Sequence, residues 1–203
     1  FRRLGYRPKF ENIVWEDKDE LLAEGTIDCL WSSYSMNGRE DKYQWAGPYL
    51  YSRQMVVVKN ESEIQTLSDL KGKRIAVQAT TKAEDLFLHN IKSDLPQMQQ
   101  VNCFSTTNEI YAALRKSYVD AIAGHEAMLG SLVKEGKDAY RMLDESIYKS
   151  ELGVAFKKGT HEEVAADLTE TLKKLQREGI TEKIVTKYGL DADEILPEGE
   201  QNE

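Results

Sequence analysis

Cysteine, histidine and proline are all scarce in this chain, at two, three and four among 203 residues. Two cysteines exclude a disulfide-dense framework, and no CxxC redox motif or zinc-ligand spacing is present. Cys29 and Cys103 fall in apparent strands far apart in sequence, so both are expected to be small buried hydrophobes; whether they pair is left open. No apolar run approaches the ~20 residues that span a bilayer. Positive charge is in deficit too: 27 Lys and Arg against 35 Asp and Glu leave a net charge of −8. That balance argues against a nucleic-acid or anionic-membrane partner. Nucleophile elbows, glycine-rich phosphate loops, internal repeats and low-complexity blocks are missing as well.

What is present is ordinary globular composition, 40% hydrophobic and 31% charged, enough for one large domain or two modest lobes. Residues 1–6 read as the last turn of a helix stopped by Gly5, and the expectation is that earlier residues precede them. Glu11–Trp15 reads as a strand and Asp17–Glu24 as a helix ending at Gly25. Ile27–Trp31 is a continuously apolar, buried strand. After a turn at Gly47-Pro48-Tyr49, strand Gln54–Lys59 follows, then a one-turn helix with a Thr66 cap and a Gly72 stop. Strands Arg74–Gln78, Val101–Phe104, Val119–Ala123, Tyr140–Leu143 and Leu152–Phe156 alternate with helices. Those helices start at the capping-box spacings Thr81/Glu84, Thr106/Glu109 and Thr160/Glu163, and at His125. The first carries Ala83, Leu86, Phe87, Asn90 and Ile91 at helical period. Ile180–Tyr188 is a terminal helix, and the acidic tail beyond Gly189 is expected to fray. The alternation implies an α/β protein with largely parallel sheets, which place ligands beyond the carboxyl ends of their strands.

The Gly25–Tyr49 stretch is where chemistry concentrates. An apolar strand opens into Ser32, Ser33 and Ser35, then Arg39 and the aromatic turn around Trp45. Rotatable hydroxyls and a planar guanidinium are the groups a carboxylate needs. Gln78-Ala79-Thr80-Thr81, a strand exit feeding a helix start, offers backbone N–H donors for the same purpose.

In this order and spacing the chain resembles the family 3 extracellular solute-binding proteins, of the periplasmic amino-acid-binding type. The markers are Leu22–Asp28, Ser32–Ser35, Arg39, Gly47-Pro48-Tyr49, Val56–Val58, Leu67–Gln78 and Asp120-Ala121-Ile122, and together they cover nearly the whole chain. The resemblance implies a periplasmic-binding-protein type II-like fold: two α/β lobes joined by two crossing strands, closing on the solute by a hinge. Residues 1–58 plus 152–203 would be lobe one, lacking its first strand and helix, and 59–151 lobe two. It further implies that Trp15 lines the side-chain pocket, and that Ser33 and Ser35 meet the ligand's carboxylate and amine. Arg39 would bind the carboxylate, with Gln78, Thr80 and Thr81 gripping it from lobe two.

Two departures stand out. Arg39 follows Ser35 one residue sooner than the family pattern has it. At the position where amino-acid binders present an aspartate to the α-ammonium, this chain has His125, followed by Glu126, and a neutral imidazole supplies no counter-charge. Glu126 is one candidate to replace it. The implied function is binding of a carboxylate-bearing solute, an amino acid or analogue, outside the cytoplasm for ABC-type uptake. Its partners would be the transporter's membrane subunits, and the protein is expected to be a monomer, membrane-anchored when intact, with no cofactor or metal. The alternatives are the sensor module of a membrane receptor (a histidine kinase or cyclic-nucleotide synthase) and a cyclohexadienyl dehydratase-like enzyme using His125 and Glu126 as an acid/base pair.

Overall fold

The computed structural model describes residues 1–89, 94–136 and 138–197. In chain order the strands are β1 (Cys29–Leu30), β2 (Tyr43–Lys59), β3 (Arg74–Gln78), β4 (Gln100–Phe104), β5 (Ala121–His125), β6 (Tyr140–Met142) and β7 (Tyr148–Lys157). The helices are α1 (Lys18–Glu24), α2 (Lys82–Phe87), α3 (Thr107–Arg115), α4 (Glu126–Glu135), α5 (Glu162–Arg177), α6 (Ile180–Lys187) and α7 (Ala192–Ile195). Short 3-10 turns occupy Arg2–Leu4, Trp15–Asp17 and Leu67–Leu70. The chain divides into two compact units, Phe1–Ile13, Asp17–Ser52 and Ser150–Glu203 against Val14–Glu16 and Arg53–Lys149. It passes from one to the other inside β2 and inside β7, and briefly at Val14–Glu16.

In the first unit β1 pairs antiparallel with β7, Cys29 opposite Phe156, and β7 neighbours β2. Ala46, Val154 and Phe156 on the strands pack against Ala165 and Leu168 of α5. Gly5, at φ +80°, ends the first 3-10 turn as a left-handed stop, and Gly25 ends α1 in the same way at φ +75°. In the second unit β3 pairs in parallel with both β4 and β5, β5 runs antiparallel to β2, and β6 also pairs with β2. Two apolar layers cover this sheet. Val56, Val58, Ile75 and Val77 face Leu86 and Phe87 of α2, while Met55, Val57, Ala76 and Ile122 face Ile110 and Leu114 of α3 and Leu129 of α4. The period-2 alternation along β2 and β3 sorts these side chains to opposite faces.

Several expectations give way. Residues 11–14 form no strand and Trp15 opens a 3-10 turn; Glu11, Asn12 and Val14 are exposed and Ile13 is half-buried. Only Cys29 and Leu30 of the Ile27–Trp31 run are in a strand, and Trp31 is 44% exposed. Gly47-Pro48 is not a turn between strands: β2 runs straight through it, with a cis bond and Gly47 at φ +117°. The Thr106/Glu109 capping box forms as read. At Thr160 it does not, because that hydroxyl donates to the Lys157 carbonyl and His161 caps α5 from φ +55°. The described part of the tail is ordered into α7, with Ile195 buried. Asn90 and Ile91 lie outside the described residues.

Candidate functional site

Candidate groups of the first unit sit on the loop after β1. This loop is fastened to β7 by backbone bonds: Met36 N–H donates to the Glu151 carbonyl at 2.8 Å, Gly153 N–H to the Tyr34 carbonyl at 3.1 Å, and Ser35 bridges Leu152. Ser35 is buried, and its hydroxyl donates to Asn37 Oδ1 at 3.3 Å. Asn37 Oδ1 also accepts the Glu151 N–H at 2.7 Å. Ser33 is exposed. The loop closes in a tight turn in which Arg39 N–H donates to the Met36 carbonyl at 2.9 Å, with Gly38 at φ +76°. Arg39 is half-buried; its Nη1 donates to the Ser35 carbonyl at 3.4 Å, and its carbonyl accepts the Trp45 indole N–H at 3.0 Å. Ser35 and Arg39 are therefore brought together on a fixed loop.

Close approach makes Gly153 of β7 part of this arrangement. A Cβ there would stand 2.6 Å from Met36 Sδ and 2.8 Å from Trp45 Cε3. Any other residue there would have to push the Met36 side chain and the Trp45 indole aside.

In the second unit the candidates gather at strand ends. β3 ends at Gln78 and β5 at His125, and the two strands are parallel neighbours, Ile75 opposite Ala121. Both residues thus stand at carboxyl ends, where α/β sheets hold their ligands. Gln78 donates through Nε2 to the Ser105 carbonyl at 3.1 Å, and Ala79 N–H to the Phe104 carbonyl at 2.9 Å. Thr80 adopts φ +59°, a left-handed conformation unusual for a β-branched residue. Its N–H donates to Glu84 Oε2 at 2.7 Å. The capping box expected between Thr81 and Glu84 is accordingly displaced: Thr81 still precedes α2, but its hydroxyl donates to the Gln78 carbonyl at 2.7 Å. The Glu84 carboxylate caps one residue earlier than the spacing suggested.

His125 is half-buried, with Gln54 Nε2 at 3.0 Å from Nδ1 and 3.2 Å from Nε2. Glu126 turns to a different partner. Its carboxylate accepts Arg53 Nε at 2.8 Å and Nη2 at 2.5 Å, a two-point fork. The two neighbours do not converge on a common point, as an acid/base pair would have to. Trp15 is half-buried and groups with the second unit rather than with the Arg39 loop.

Cys29 and Cys103 are both free thiols. Cys29 is half-buried, whereas Cys103 is exposed, against the expectation of a buried residue. Burial, then nearby Asp28, pushes the Cys29 thiol up to about 11. Desolvation, then the hydrogen bond to Glu84, pushes Cys103 up to about 12. Among the described residues no cluster of His, Cys, Asp and Glu has the makings of a metal site, and no helix is long and apolar enough to cross a membrane.

Sequence reasoning gave no role to Tyr34, Asn37, Tyr43 and Arg53, which hold groups beside the candidate residues. Their signals were weak because each acts through a partner distant in sequence or through the backbone.

The model of the bacterial extracellular solute-binding proteins, family 3, matches residues 1–191. The chain is 26% identical over 190 residues to the L-cystine-binding protein TcyJ of Escherichia coli, covering 92% of this chain and 69% of that protein. It is 25% identical over 193 residues to the glutamate-binding protein GluB of Corynebacterium efficiens, covering 90% of this chain and 63% of that one. Among solved structures, the substrate binding protein of an amino acid ABC transporter superposes with a TM-score of 0.80 at 26% identity, covering 92% of this chain and 82% of that one. These named relatives are amino-acid-binding proteins, not enzymes. With α/β units and a family match along nearly its whole length, the chain belongs to the bacterial extracellular solute-binding proteins, family 3.

Proposed function

We propose that this chain captures an α-amino acid or close analogue outside the cytoplasm and delivers it to the membrane subunits of an ABC-type transporter. Its two units act as the family's two lobes. Arg39 supplies the cation for the solute's carboxylate, with Ser33 and Ser35 beside it on the first unit. Gln78, Thr80, Thr81, His125 and Trp15 serve the same solute from the second. The observation that carries the reading is the fixed Arg39 loop, which holds a guanidinium beside the Ser35 backbone by bonds on both sides. Charge-assisted bonds to a carboxylate are each worth ~1.5–3 kcal/mol, and more as water is excluded.

A thermal-shift series with L-cystine, L-glutamate, L-glutamine, L-histidine and L-arginine tests it, with cystamine as the carboxylate-free control. A solute present at a hundred times its Kd raises Tm by about 5–10 °C for a protein of this size. At least one amino acid should do so and cystamine should not, and Arg39→Ala should remove the shift. No shift with any of the five, or a shift that survives Arg39→Ala, refutes the anchor.

The sensor reading draws on one specific observation. Glu126 is engaged by Arg53, so the α-ammonium finds no aspartate at position 125 and a neighbouring carboxylate already committed. A full-length gene encoding a membrane span followed by a signalling domain would favour it; a lipoprotein signal alone would favour transport. Turnover of prephenate or arogenate by pure protein would establish the dehydratase alternative instead.

A further inference from the structure

Arg39 rests on an aromatic platform. Its guanidinium carbon lies 5.4 Å from the centroid of the Tyr34 ring. Tyr34 is 3% exposed and sits in a three-ring cluster, with centroids 5.5 Å from Tyr43 and 5.5 Å from Trp45, while Tyr43 and Trp45 are 5.4 Å apart. The Tyr34 hydroxyl donates to the Tyr43 hydroxyl at 2.7 Å, and the Tyr43 hydroxyl donates to the Asp19 carboxylate. Lys42 Nζ holds the other Asp19 oxygen at 2.7 Å. The chain of contacts thus runs from the guanidinium through two tyrosines to an ion pair at the start of α1.

We infer that Tyr34 is a positioning residue for Arg39: its ring fixes the plane of the guanidinium so that the in-plane N–H fork is presented to a solute carboxylate. This rests on the reading of Arg39 as carboxylate anchor. A free arginine side chain loses ~2 kcal/mol of rotamer entropy when it is held for binding. Resting the cation on a ring face settles part of that loss before the solute arrives. Trp45 completes the arrangement by bonding the Arg39 carbonyl, which fixes the backbone while Tyr34 fixes the head. The hydroxyl chain to Asp19 ties down the far end of the Tyr34 ring.

The test compares Tyr34→Phe, which keeps the ring and loses the hydroxyl chain, with Tyr34→Leu and Tyr34→Met, which remove the ring. The first measurement is made without added solute: the ring-current shift of the Arg39 δ-protons by NMR, assigned by its loss in Arg39→Lys. The second is L-cystine affinity by calorimetry. Wild type and Tyr34→Phe should show the upfield shift, and Tyr34→Phe should bind within about threefold of wild type. Tyr34→Leu or Tyr34→Met should lose the shift and bind L-cystine about 5–30-fold more weakly. An Arg39 shift unchanged in a folded ring-less variant overturns the inference. So does wild-type affinity in that variant when Arg39→Ala abolishes binding. If Arg39→Ala leaves L-cystine binding intact, or L-cystine does not bind, the anchor reading fails for that solute and the NMR comparison alone decides the role of Tyr34.

Discussion

The Arg53 guanidinium clasps the Glu126 carboxylate at two points, with Nε at 2.8 Å and Nη2 at 2.5 Å. The side chains are 33% and 22% exposed, so the pair is partly desolvated. Removing one partner leaves the other charge uncompensated. Glu126→Gln should therefore destabilise the protein by ~1–2 kcal/mol, and Arg53→Gln together with Glu126→Gln should cost less than the sum of the singles. Urea denaturation of the four proteins measures the coupling. An additive double variant would mean that the fork contributes nothing to stability.

Thr80 holds φ +59° while its N–H is taken by Glu84. A left-handed conformation costs an L-residue ~1–2 kcal/mol, offset in glycine by its larger unfolded-state entropy. Thr80→Gly should raise stability by ~0.5–1 kcal/mol, read as a higher urea midpoint at unchanged m. A lower midpoint would show that the Thr80 side chain contributes more than the strain costs.

Cys103 is exposed, yet its thiol is pushed up to about 12 by desolvation and by the Glu84 carboxylate. Thiolate is the nucleophile, so Cys103 should react with iodoacetamide at pH 8 far more slowly than a peptide thiol of ordinary value near 8.5. Glu84→Gln should accelerate it several-fold. Mass spectrometry of the labelled peptide gives the rate, and a rate equal to that of a free peptide thiol would contradict the assignment.

Asp120 accepts Arg74 N–H at 2.8 Å, Nε at 3.1 Å and Nη2 at 2.6 Å. The hydrogen-bonded guanidinium holds its carboxyl below the usual range, even though desolvation opposes it. A folded-state value below the unfolded ~3.9 contributes stability that is fully present above that value and lost as pH falls through the lowered one. Asp120→Asn should lower Tm at pH 7, by the equivalent of ~1 kcal/mol once solvent screening of this half-exposed pair is allowed for. It should also flatten the fall in Tm below about pH 4. Equal slopes for wild type and variant in that window would show that Asp120 does not couple to folding.

How much of this was legible in the sequence depends on how local each signal is. Thr106 and Glu109 formed their capping box because both partners lie within one helical turn. The strand Arg74–Gln78 was found because its buried centre, Ile75-Ala76-Val77, leaves a continuous apolar run. The long β2 was hidden by Gly47-Pro48, a pair that reads as a break but is carried within the strand. Glu84 lay at the right spacing from Thr81 but bonds Thr80, because Thr80 takes the left-handed conformation and turns its N–H toward the carboxylate. At the candidate site, Arg39 and the serines carried a recognisable order. Tyr34 and Asn37 did not, since a ring beneath a guanidinium and an amide reaching Glu151 are tertiary facts with no local pattern.

Arg39 as the anchor of an amino acid's carboxylate is tested most directly by calorimetric titration of wild type and Arg39→Ala with the amino acid that gives the largest thermal shift, alongside its decarboxylated amine. Wild type should bind the amino acid and not the amine, and Arg39→Ala should lose at least about a hundredfold in affinity while keeping its fold by circular dichroism. Equal affinity of the two proteins, or binding of the amine as tight as that of the acid, would contradict it.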